Sequence, residues 1–134
     1  MLVSKYDIIN PLCKELEKII KNVMMQEDIL IPQKGDRLFC VKCGKVMREN
    51  LYEMARKYWK ARLEKASQAT HVLAIQEGKV VAAYNPIEWK YTEDKEHEGR
   101  IEFVGTEIPN SEYIGKDVQS YYGSSANPIK YINF

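Results

Sequence analysis

Cys40-Val41-Lys42-Cys43-Gly44 has the spacing of one zinc-ribbon knuckle, in which two thiolates hold the metal and a glycine lets backbone amides turn toward the sulfurs. A structural zinc takes four ligands, so Cys13, His71 and His97 would have to be recruited from scattered elements. On a continuing strand, Cys40 and Cys43 also point to opposite faces. The expectation is therefore buried free thiols and no metal site. His97 lies in a charged stretch from Glu93 to Glu98 and reads as solvent-facing, while His71 opens a strand. Neither histidine adjoins a recognisable nucleophile motif. A pairing of Cys40 or Cys43 with His71 is the arrangement that hydrolase or transferase chemistry would need, and the sequence does not signal it. Gly44, Gly78, Gly99, Gly105, Gly115 and Gly123 are isolated turn glycines, not a phosphate-binding pattern. No catalytic residue and no cofactor are predicted.

Recognition is better represented than catalysis. Tyr52, Arg56 and Trp59 share one flank of a predicted helix, with Arg48, Lys57, Lys60, Arg62 and Lys65 nearby. Aromatic faces stack on bases, and a guanidinium pairs with phosphate or stacks as well. The ordinary alternative is that the rings wedge against a sheet while Arg56 extends its charge to water. A second group comprises Trp89, Tyr91, Tyr121, Tyr122 and the loop from Gly123 to Pro128, which contains Asn127. Rings, small hydroxyls and an amide together can read a flat polar ligand. The alternative here is aromatic packing beside a polar turn. The ligand-binding candidates are Tyr52, Arg56, Trp59, Trp89, Tyr121 and Asn127.

The elements that must position these residues are legible from periodicity. Tyr6, Ile9, Cys13, Leu16, Ile20 and Val23 repeat at the three–four spacing of one helical face. The capping signals at Ser4 and at Asn10-Pro11 leave two possible starts for that helix. Arg37–Cys43 reads as a strand. Asn50 caps a second helix running to Lys65, with Leu51, Met54, Ala55, Tyr58 and Arg62 on one face. Glu53–Lys57 and Lys60–Glu64 pair along its solvated side. Short apolar runs follow at His71–Gln76, Lys79–Tyr84, Glu88–Tyr91, Arg100–Val104 and Ile129–Asn133. Glu77–Gly78 is a two-residue hairpin turn, and Asn85–Pro86 interrupts the strand after it. Runs that are apolar on both faces belong in the middle of a structure.

The 134 residues are expected to form a single domain, with a helical extension over 1–28 and an α+β core over 37–134. A hydrophobic content of 45% with 29% charged residues suits a soluble globular chain. The net charge of +1 gives no global attraction to nucleic acid or membrane, so such a role must rest on a local patch. No apolar run reaches membrane-spanning length, and the brief apolar start at Met1–Val3 is not a secretory signal. Three cysteines without an export signal read as free thiols in the cytoplasm.

From Arg37 onward, the order of landmarks resembles an uncharacterised family of small bacterial proteins. The matching segments are Leu51-Tyr52-Glu53-Met54-Ala55-Arg56-Lys57-Tyr58-Trp59, the hairpin His71–Tyr84, Trp89, Gly99–Gly105 and Asn127–Asn133. More loosely it resembles small β-barrels of the PUA and ASCH type, which bind RNA or modified bases. The resemblance implies a fold and draws attention to Arg56, Trp59, Trp89 and Asn127.

The expected fold is α+β: an N-terminal helix, then a curved, mostly antiparallel sheet or partly open barrel with one helix packed on it. The leading functional expectation is a non-enzymatic module that recognises RNA, DNA or a nucleotide-like ligand. The alternative is a protein–protein interaction or regulatory domain, associating as a homodimer or with a partner through the N-terminal amphipathic helix.

Overall fold

The computed structural model describes residues 14–19 and 28–134. Its core is a five-stranded sheet in the order β4-β3-β2-β1-β5. The strands are β1 (Leu38–Lys42), β2 (His71–Gln76), β3 (Lys79–Tyr91), β4 (Ile101–Glu107) and β5 (Ile129–Ile132). β1 and β2 run parallel, and the other three neighbouring pairs are antiparallel. Short helices α1 (Leu51–Arg56), α2 (Leu63–Ala66) and α3 (Gln119–Tyr122) complete the fold, with a 3-10 turn at Lys95–His97. The α1–α2 segment is the crossover that a parallel β1–β2 pair requires.

Alternation along the strands separates two apolar cores, one on each face of the sheet. Phe39, Val41, Val72, Ala74, Ala82, Tyr84, Ile101 and Phe103 pack with Ala55 and Ala66 on the helical face. Leu38, Cys40, Leu73, Ile75, Val80 and Ala83 pack with Leu30, Tyr113, Val118 and Tyr122 on the other. β2 is apolar on both faces and takes the central position.

The α+β class and the antiparallel majority agree with the sequence pattern, whereas the barrel does not form. The sheet stays open, with β4 and β5 as its edges. Short helices and turns already cover a core on each face, while Val81, Ile87 and Val104 of β3 and β4 stay exposed. Of the predicted N-terminal helix, residues 14–19 are helical, and the rest of the Tyr6–Val23 stripe and Cys13 lie outside the described residues.

The helix predicted over 50–65 also differs. It is capped as expected, with the Asn50 side chain accepting from the Glu53 amide at 2.9 Å, but it stops after Arg56. Residues beyond it run extended, and Trp59 exchanges backbone hydrogen bonds with Ile101 at 2.9 and 3.0 Å. Those bonds give edge strand β4 a partner, and this tertiary pairing outweighs the local helical preference. α2 then starts afresh after Arg62, so Lys60 and Glu64 do not share a helix.

The hairpin is as read: Glu77 and Gly78 both take positive φ, at 53° and 78°, the signature of a type I′ turn. β3, however, continues through Asn85 and Pro86, with a register shift between Pro86 and Glu88 that leaves Ile87 bulged. Gly105 faces this bulge, and a Cβ there would fall 2.2 Å from the Asn85 carbonyl oxygen.

Candidate functional site

Trp59 stands on the extended segment after α1, fixed by its bridge to β4. Its indole N–H donates to the Ala55 carbonyl at 2.8 Å, and the half-buried side chain packs against the helical-face core. The ring meets no other aromatic ring and no cation among the described residues. It forms a wall common to two cavities. One, of about 420 Å³, is lined by Tyr58, Trp59, Lys60, Arg100 and residues 127–129. The other, of about 470 Å³, is lined by Lys42, Lys45, Arg48, Lys57, Met54 and Trp59, among others.

Glu49 is the one carboxylate among the described residues lining either cavity. It lies 3.3 Å from the Lys57 ammonium, which also meets Glu53 at 3.0 Å. Hydrogen bonding to Glu53 comes first among the influences that raise the Lys57 pKa. Lys45 pairs with Glu77. Lys42 donates to the Ser125 carbonyl at 3.2 Å and lies 4.4 Å above the Tyr122 ring. Arg100 donates to the Tyr58 carbonyl at 3.4 Å. Lys42, Arg48, Lys60 and Arg100 thus pair with no carboxylate among the described residues. A concave site with unneutralised cations and an uncommitted ring favours a planar anion.

Asn127 lies in the first of these cavities. Its Oδ1 accepts from the Ile129 amide at 3.0 Å, which pins the turn into β5 and leaves the Nδ2 donor without a partner among the described residues. Tyr58 stacks on His97 with ring centroids 4.1 Å apart and planes 9° from parallel. His97, expected to face solvent, is thereby half-buried as a brace for the cavity wall, because the 3-10 turn folds back over Tyr58.

Of the six residues singled out from sequence, Trp59 and Asn127 are brought together. The other four serve packing contacts. The Tyr52 hydroxyl accepts from the Gly105 amide at 3.0 Å, and its ring leans on Tyr84 and Phe103. Arg56 is held by Glu53 and by buried Glu102, each at 3.0 Å. Trp89 meets Phe39 and Phe103 edge-on or tilted, with its indole N–H enclosed and unpartnered among the described residues. Tyr121 belongs to the opposite face, where its hydroxyl donates to the Leu30 carbonyl at 2.6 Å. Sequence reasoning missed Lys42, Tyr58 and Arg100. They come from β1, the segment after α1 and the approach to β4, and no local spacing links them.

Cys40 and Cys43 enter different cores. Burial pushes the Cys40 thiol up to about 12 and the Cys43 thiol up to about 11. His71 stands opposite Leu38 while Cys40 stands opposite Leu73, and the His71 ring nitrogen meets Thr70 Oγ1 at 2.7 Å. No Cys–His pair forms among the described residues. No group of three or more His, Cys, Asp or Glu residues is arranged to hold a metal ion there either.

No family model, no curated protein and no solved structure matches this chain. No helix among the described residues is long and apolar enough to cross a membrane.

Proposed function

We propose that this protein is a non-enzymatic binding module whose Trp59 cleft recognises nucleic acid or a nucleotide-like ligand. One observation carries the reading: the half-buried Trp59 ring, which meets no other ring and no cation among the described residues, borders two cavities lined by Lys42, Arg48, Lys60 and Arg100, none of which pairs with a carboxylate among those residues. The ring supplies a stacking surface, the cations hold phosphate, and Asn127 Nδ2 offers a donor to a base edge. The resemblance to small RNA- and base-binding domains points the same way. Thiol chemistry has less support, since both described cysteines are buried and kept protonated.

The test is a fluorescence titration with single- and double-stranded oligonucleotides at low ionic strength. Stacking on Trp59 quenches its emission, and Trp59→Phe removes that quench while Trp89, packed on Phe39 and Phe103, continues to emit. Binding weakens as salt is added. Absence of any salt-dependent binding overturns the proposal.

The exposure of Leu16 and Ile19, each at 56%, favours a second reading, association through the N-terminal helix with a second copy or a partner protein. Replacing both with Lys would then shift the protein to a smaller species in sedimentation without lowering its melting temperature.

A further inference from the structure

A third cavity of about 440 Å³ adjoins the second of the two beside Trp59; its lining includes Lys42, Cys43, Gly78, Gln119, Tyr122 and Glu77, a carboxylate that pairs with Lys45. Lys42 and Cys43 also line the second cavity, just as Trp59 lines both the second and the first. All three open at one end of the sheet, where β1 and β2 finish and β5 begins. The result is a track of three compartments divided by Trp59 and by Lys42. Each has a volume within the range that takes one flat, drug-sized ligand.

We infer that the ligand is a single-stranded oligonucleotide laid across all three compartments. The inference rests on the proposed nucleotide-binding role of the Trp59 cleft and goes on to specify how many units are bound and in what form. Three features argue for a strand. Lys60 and Arg100 line the first compartment, Arg48 the second, and Lys42 stands between the second and third, a spacing that matches a backbone carrying one charge per unit better than the clustered charge of a mononucleotide. The third compartment is lined by Gln119, whose side chain lies over Gly78, its Cγ 2.3 Å from where a Cβ would sit. That amide has no partner among the described residues and presents both a donor and an acceptor to a base edge. Finally, the cations line a concavity with Trp59 in its wall. Bases stacked inside a duplex could not reach that ring without being flipped out. An acidic peptide would meet the same charges but use neither the ring nor the amide.

The experiment measures fluorescence anisotropy of labelled thymidylate oligomers of one, two, three, four and six units at low salt. A hairpin duplex and a polyglutamate peptide serve as competitors. The dissociation constant falls by roughly tenfold or more between one unit and three, and levels off beyond about four, since each added phosphate gains a charge-assisted contact. With three to four phosphates neutralised, log K falls against log salt with a slope of about −2 to −3. Gln119→Ala, an exposed position, makes the trimer bind no better than the dimer. The duplex and the peptide each compete at least about tenfold less well than the trimer. If the monomer binds as tightly as the trimer, the track is overturned while the nucleotide cleft stands. If the duplex or the peptide competes equally, or Gln119→Ala weakens every length alike, the single-strand inference is likewise overturned. If no length binds at all, the Trp59 reading falls with it.

Discussion

Arg56 and Trp59 are separated by three positions yet have opposite fates. The Arg56 guanidinium bridges Glu53 and Glu102, and Glu102 is only 8% exposed. Arg56→Ala would strand that carboxylate without its counter-charge, a loss of about 3 kcal/mol that chemical denaturation would register. Replacing Trp59 with Phe keeps the packing edge and forfeits only the Ala55 hydrogen bond, about 1 kcal/mol. Titration adds a second residue-level expectation. Because burial raises both thiol pKa values, Cys40 and Cys43 stay protonated in the fold while the unfolded chain ionises near pH 8.5. Above that pH the native state binds more protons than the unfolded one. The thiols' contribution to stability is therefore flat below about pH 8.5 and falls above it, and mutating both to Ala makes a melting-temperature profile shallower between about pH 8.5 and 10.

Among the elements, the segment after α1 shows where sequence periodicity stops being informative. Leu51, Met54, Ala55, Tyr58 and Arg62 have helical spacing, but β4 needed a backbone partner and took Trp59. Helical spacing records which side chains are apolar and does not record a hydrogen bond offered from 42 residues away at Ile101. The hairpin was legible because its information is local, in Glu77 and Gly78 themselves. The β3 bulge was half legible: Asn85-Pro86 marks an irregularity, and only the facing Gly105 shows that the strand passes through it. Gly105→Ala would set a methyl group against the Asn85 carbonyl. It should cost about 1–3 kcal/mol and lower the thermal midpoint, with β3 and β4 amides losing protection from hydrogen exchange first.

Taken whole, the molecule divides into faces that the sequence could assign and an end that it could not. The apolar run of β2 marked it as central and it holds the middle, and Ile101 and Phe103 of β4 are interior as read, although Glu102 between them is buried as well. The cleft instead assembles side chains from Lys42 to Asn127 on separate connections, so its existence depends on topology. The aromatic-rich runs were legible as a sheet, but which ring would stay uncommitted was decided by the break after Arg56.

The order of the strands has a consequence for biosynthesis. β1 is made early, yet one neighbour, β2, arrives only after the α1–α2 crossover, and the other, β5, begins at Ile129. While the ribosome is still translating the hairpin and the turns that follow, Leu38 to Lys42 present an open flank of amides and carbonyls. A nascent chain arrested before Ile129 should therefore be protease-sensitive and chaperone-bound, and release of the last strand should convert it abruptly to the resistant form.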